Sequence, residues 1–84
     1  MGIKILGTGS YLPPKVVTNV DIAASLDTSD EWIFSHTGIH ARHVAGEGET
    51  TSSMAAEAAR KALEMSGVSP EEIGLIVVAT SSPD

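Results

Sequence analysis

Cysteine is absent from this chain of 84 residues. That removes disulfide staples, thiolate metal ligands and cysteine nucleophiles from it, and leaves the redox compartment open. Basic residues are few: five Lys+Arg stand against eleven Asp+Glu, giving a net charge of −6. A phosphate-backbone partner needs clustered cations, and no basic run exists, so nucleic acid binding is not expected. Aromatics are down to one Trp, one Tyr and one Phe. Long apolar runs are also missing. The longest, Leu75 to Ala79, is far too short to span a bilayer, and the residues after Met1 form no apolar core of a secretory signal. Leu6 stands where an acylation signal after Met1-Gly2 would want Ser or Thr. The expectation is a soluble, cytoplasmic protein with no membrane partner. What the chain does have is 42% hydrophobic residues, enough for a globular fold. A chain of this size buries only ~60–65% of its unfolded surface, which is marginal without help from outside.

Local signals divide the chain into elements. Ile3 to Leu6 reads as a short strand closed by the turn glycines of Gly7-Thr8-Gly9-Ser10, and Pro13-Pro14 hold the next stretch in a loop. Thr18 to Asp21 are capping residues before a short helix through Ile22, Ala23 and Ala24. Thr28 and Glu31 have capping-box spacing, which predicts a helix of about two turns carrying Trp32, Ile33 and His36, stopped by Gly38. Ile39 to Val44 alternates weakly, as a strand would, and Gly46 to Glu49 is loop. Thr50 to Ser66 is the best-defined helix, with Ala55, Ala58, Ala59, Ala62, Leu63 and Ser66 on one face. Glu57–Lys61 and Arg60–Glu64 are spaced for ion pairs on the other face, and Gly67 ends the helix. Ser69-Pro70-Glu71-Glu72 is a capped turn, Ile73 to Thr80 an inner strand apolar on both faces, and Ser81 to Asp84 loop. The order is that of an α/β protein. An alanine stripe demands close helix approach, and a two-sided strand demands cover on both faces. The expectation is therefore a segment of a larger α/β protein, or one half of an assembly.

Few motifs carry chemistry. Gly7-Thr8-Gly9 starts like a dinucleotide loop, but the third glycine is missing and two prolines prevent the helix that would cradle a phosphate. His36, His40 and His43 are close in sequence, yet Gly38 breaks the helix between them and no cysteine or intervening carboxylate completes a metal set. No metal or cofactor is expected. Ser and Thr from Thr50 to Ser53 suit a helix start, and no nucleophile elbow exists. Trp32 stands apart. Thr28, Trp32 and His36 recur at i, i+4 and i+8 and so share one helical stripe. An indole among hydroxyls and an imidazole is a platform for a planar ring with a phosphate-bearing tail. Packing of Trp32 against Ile33, Phe34 and a core is the plainer alternative, and the pattern leaves both open.

Together, Gly7 to Pro13, Thr18-Asn19, Asp27 to Ile33, Thr37-Gly38-Ile39, Arg42-His43 and Ile73 to Thr80 resemble the N-terminus of β-ketoacyl-acyl-carrier-protein synthase III, without a gap from Lys4 to Asp84. The resemblance implies a thiolase-like fold of two similar halves layered α-β-α-β-α, with residues 1–84 as the N-terminal part of the first half and the Thr50–Ser66 helix between the sheets. It implies a homodimer that condenses an acyl-CoA primer, usually acetyl-CoA, with malonyl-acyl carrier protein, releases CO₂ and so starts fatty acid synthesis. The family's Cys, His and Asn have no counterpart among these residues, so the segment alone is expected to be inactive. What matches is the coenzyme A entrance: Trp32 for stacking on adenine, Thr28 for a hydrogen bond near it, and Thr37 at the same mouth. His36 stands where the family usually has an Arg on the coenzyme A phosphate, and an imidazole replaces a permanent, forked cation there. Weaker coenzyme A binding or another thioester donor is expected. A related synthase with a quinolone or polyketide product, and a non-catalytic fragment that binds only its complement, are the alternatives.

Overall fold

The computed structural model describes residues 2–83. In chain order it holds β1 (Lys15–Thr18), α1 (Asn19–Ala23), α2 (Asp30–Thr37), β2 (Ala41–Val44), α3 (Thr51–Ser66) and a 3₁₀ turn at Pro70–Glu72. The expected mixture of helix and strand is present. Among the described residues no helix is long and apolar enough to cross a membrane. The chain divides into two compact units, Pro13–Gly48 and Met1–Leu12 with Glu49–Asp84.

In Pro13–Gly48, β1 and β2 pair antiparallel, with Val16 opposite His43 and Val17 opposite Arg42. Strand β1 is unforeseen. Its β-branched run Val16-Val17-Thr18 is squeezed between Pro14 and a helix start, leaving too few residues for an alternating pattern to register. Thr18 ends the strand and caps α1: its hydroxyl accepts from the Asp21 N–H at 3.1 Å, and the Asp21 carboxylate accepts from the Thr18 N–H at 2.9 Å. The bond from the Thr18 N–H, with the Thr18 hydroxyl beside the carboxylate, holds the Asp21 carboxyl below the usual carboxylate range. Helix α2 starts one residue later than its capping-box spacing predicts. Ser29, not Thr28, is the cap, with its hydroxyl accepting from the Trp32 N–H at 3.1 Å. Adjacent hydroxyls offer the same reach in two registers, and the extended backbone falls on Ser29. Gly38 closes α2 as expected, in the left-handed region at φ 73°. No hydrophobic side chain is buried among the described residues, and the fully buried side chain is that of Asn19.

In the other unit, Thr50 caps α3 by accepting from the Ser53 N–H at 3.1 Å, and Gly67 ends the helix at φ 73°. Ala58, Ala62, Leu63 and Ser66 on the expected stripe are half-buried, whereas Ala55 and Ala59 are exposed. Backbone does approach backbone there. A Cβ on Gly7 would lie 2.9 Å from the Ser66 nitrogen, and one on Gly9 would lie 2.6 Å from the Ala62 nitrogen. The two glycines therefore serve close packing on α3, which corrects their reading as turn punctuation. The ion pairs expected at i,i+4 are replaced. Arg60 reaches Glu57 at 2.5 Å, while Lys61 Nζ donates to the Ser10 carbonyl at 3.0 Å and lies 5.8 Å over the Tyr11 ring. Tyr11 donates its phenolic O–H to the Glu49 carboxylate, and this bond raises its pKa above the ordinary value. Glu72 accepts from the Ser69 N–H at 3.4 Å and hydroxyl at 3.1 Å, giving the capped turn foreseen at Pro70. Neither Ile3–Leu6 nor Ile73–Thr80 forms the strand expected of it. A strand exists only through pairing, and among the described residues neither segment has a ladder partner. Leu75 and Val77 are 82% and 83% exposed.

Candidate functional site

The first turn of α2 builds the site. Ser29 spends its hydroxyl on the cap, so the turn begins at Asp30 and lifts Trp32 to the rim of a cleft of about 440 Å³ lined by Asp27, Thr28, Ser29 and Trp32. The indole is 57% exposed. Within residues 2–83 the indole has no core to pack into, since no hydrophobic side chain is buried among them. One face of the indole is covered by His36 one turn on, with ring centroids 4.0 Å apart and planes 21° from parallel. The His36 Nδ1 lies 2.7 Å from the Trp32 carbonyl oxygen and 3.2 Å from the Ser35 hydroxyl, which fixes the imidazole in that stack.

Thr28 is the unusual member. Its hydroxyl oxygen is buried and has no hydrogen-bond partner. A buried hydroxyl left unpaired costs on the order of 1–3 kcal/mol, and a side-chain rotation that turns it toward a ligand in the cleft Thr28 lines would recover that cost. Thr37 is placed differently. Its hydroxyl donates to the Ile33 carbonyl at 2.7 Å and accepts from the Ile39 N–H at 3.1 Å, so it seals the end of α2 and does not line the cleft. Of the four sequence-derived site residues, the structure brings Thr28 and Trp32 to one cleft, lays His36 on Trp32, and sets Thr37 at the helix's far end.

The histidines do not converge. His40 bonds to Asp30 at 3.0 Å and stacks on Phe34 with centroids 3.8 Å apart, while His43 meets the Pro13 carbonyl at 2.6 Å. Among the described residues no three His, Cys, Asp or Glu gather as they would around a metal ion. Asp30 accepts from His40 and from the Asn19 amide, and both hold its carboxyl below the usual range. The arrangement offers a flat aromatic face and one unsatisfied hydroxyl, flanked by carboxylates. That chemistry suits a planar ring with a polar edge better than a phosphate. Sequence reasoning took Asn19 as one of the capping residues Thr18 to Asp21 and missed its role, which is to bond to three separate parts of this unit.

No family model matches the chain. A curated β-ketoacyl-[acyl-carrier-protein] synthase III of Rhizorhabdus wittichii is 59% identical over 80 residues, covering 95% of this chain and 25% of that protein. The Escherichia coli K12 protein of the same name is 57% identical over 82 residues, covering 98% of this chain and 26% of its own length. Among solved structures, 3-oxoacyl-[acyl-carrier-protein] synthase III of Aquifex aeolicus matches with a TM-score of 0.80 and 54% identity over 84% of this chain and 23% of that one. A priming β-ketosynthase from a polyketide biosynthetic pathway matches with a TM-score of 0.82 and 38% identity over 95% of this chain and 25% of that one. The resemblance seen in the sequence therefore holds. The chain is an α/β segment with the fold of thiolase-like synthases, and it spans about a quarter (25–26%) of the curated relatives it matches.

Proposed function

We propose that this chain, similar over nearly all its length to β-ketoacyl-acyl-carrier-protein synthase III, is part of an acyltransferase that joins an acyl-CoA primer to malonyl-acyl carrier protein with loss of CO₂. In this reading the segment supplies one wall of the coenzyme A entrance at the N-terminal part of a homodimeric, cytoplasmic enzyme of fatty acid synthesis. The observation that carries it is the pairing of the exposed Trp32 indole with the unsatisfied Thr28 hydroxyl across one cleft. Adenine needs what these two provide, a face to stack on and a hydrogen-bond partner for its edge. Asp27 lines the same cleft, and Asp30 and Glu31 open α2 beside it, so the ligand's phosphates are best directed away from this turn.

Bond making lies with other residues. The family's acyl-accepting Cys, and the His and Asn that steady the charge formed on decarboxylation, have no counterpart in a chain without cysteine. This segment binds and orients. An interaction made equally with substrate and transition state lowers KM without raising kcat. In the full polypeptide, Trp32→Ala should raise KM for the acyl-CoA by roughly five- to a hundredfold, the worth of one base–aromatic stack, with kcat nearly unchanged. An unchanged KM would remove the stacking role. The polyketide-priming relative supports a second reading, a condensing enzyme with another product, through its TM-score of 0.82. The higher identity to curated β-ketoacyl-[acyl-carrier-protein] synthases III, 57–59%, favours the first.

A further inference from the structure

In Pro13–Gly48 the centre is polar. The one fully buried side chain, Asn19, sits at the start of α1, and its carboxamide is used at both ends. The amide nitrogen donates to Asp30 Oδ1 at 2.9 Å and to the Ile39 carbonyl at 2.6 Å. The amide oxygen accepts from Arg42 Nη2 at 2.5 Å, and the Asn19 N–H donates to the His40 carbonyl at 2.8 Å. Arg42 extends the web by donating through Nη1 to the Val17 carbonyl at 3.1 Å. Asp30, the first residue of α2, also holds His40 at 3.0 Å. One asparagine thus fastens α1, the first turn of α2, the entry to β2 and, through Arg42, strand β1. Trp32 is two residues beyond Asp30 and the cleft-lining Ser29 is one before it, so the web grips the turn that aims the indole.

We propose that Asn19, with Asp30 and Arg42, is the positioning device that sets the Trp32 cleft, acting on ligand affinity through the pose of the first turn of α2. The proposal rests on the coenzyme A reading for its ligand and on geometry alone for its mechanism. Asparagine suits the place because a carboxamide donates two N–H bonds, to the Asp30 carboxylate and the Ile39 carbonyl, while its oxygen accepts from the Arg42 guanidinium; a hydroxyl or a neutral imidazole has one donor. Asn19→Asp keeps the shape, loses both N–H donors and faces the Asp30 carboxylate with a second negative charge. Arg42→Lys keeps the charge but cannot reach the Val17 carbonyl and Asn19 as a fork.

The test uses the full-length polypeptide that carries this segment. Adenosine 3′,5′-bisphosphate is titrated as a competitor of the acyl-CoA, and KM and kcat are measured. In parallel, fluorotryptophan is incorporated and the Trp32 signal, assigned by its loss in Trp32→Phe, is followed by fluorine NMR without ligand. Asn19→Asp should weaken the competitor and raise KM by roughly tenfold, the scale of losing a buried bond to a charged group, with kcat little changed and the Trp32 signal shifted or broadened. Arg42→Lys should show the same pattern in smaller degree. Asn19→Asp combined with Asp30→Asn, which restores an amide–carboxylate pair in reverse, should recover part of the loss. Variants that keep the parent's Trp32 signal and KM overturn the proposal; if Asn19→Asp fails to fold, Arg42→Lys decides. A parent that ignores the adenosine bisphosphate sinks the coenzyme A reading, and the fluorine signal then decides the positioning role by itself.

Discussion

At the scale of single residues, two side chains decide what the cleft prefers. His36 lies flat on the Trp32 indole and is tied to the Trp32 carbonyl, so it backs the platform and does not reach out as a long guanidinium would. His36→Arg should return a permanent cation able to fork onto a phosphate, and primer affinity should rise by roughly three- to tenfold, as a charge-assisted bond at a partly exposed site allows. Isothermal titration with coenzyme A measures this, and no gain removes His36 as the cause of any weak binding. Asp30 makes a second prediction through pH. Its bonds from His40 and Asn19 lower its pKa in the folded state. The stabilisation it brings is present above the ordinary carboxylate pKa and is lost as pH falls through the lowered value. Thermal unfolding followed in acid should show α2 loosening in that window, and Asp30→Asn should remove the pH dependence of that step.

At the scale of elements, what was legible depended on how far each interaction reaches along the chain. The caps at Thr18 and Thr50 fall within the capping stretches expected at Thr18 to Asp21 and Thr50 to Ser53, the glycine stops at 38 and 67 are where expected, and all are fixed within three or four residues. Thr28 and Ser29 show the limit of that reasoning, since neighbouring hydroxyls satisfy the same rule in two registers. Asn19 was illegible for another reason. Its partners Asp30 and Arg42 are 11 and 23 residues away, and no periodic pattern links them. The strands expected at Ile3–Leu6 and Ile73–Thr80 fail because β structure is a property of pairs. The alanine stripe was legible as a demand for close approach, and Gly7 and Gly9 are what answer it. Gly9→Ala should therefore push its segment off α3 and destabilise the full polypeptide by ~1–3 kcal/mol, as overpacking does. Urea midpoints of Gly9→Ala and the parent measure this, and an unchanged midpoint would contradict the close-packing role of Gly9.

At the scale of the molecule, the numbers point to apolar surface awaiting cover. No hydrophobic residue is buried among those described, and Ile3, Ile5, Leu75, Ile76 and Val77 are each more than three-quarters exposed. Each such side chain withholds roughly 1.5–3 kcal/mol that burial would supply, while ordering the backbone costs about 1–2 kcal/mol per residue. Local caps and the Asn19 web shape the segments without closing that gap. The relatives it matches are about four times its length at 25% coverage, and we propose that further polypeptide of that kind supplies the missing surface. Differential scanning calorimetry of the 84-residue chain alone tests this most directly. The expected trace has no cooperative endotherm, with a transition returning only when the remaining polypeptide is supplied; a sharp two-state melt of an isolated monomer, with an enthalpy near 0.7 kcal/mol per residue, would contradict it.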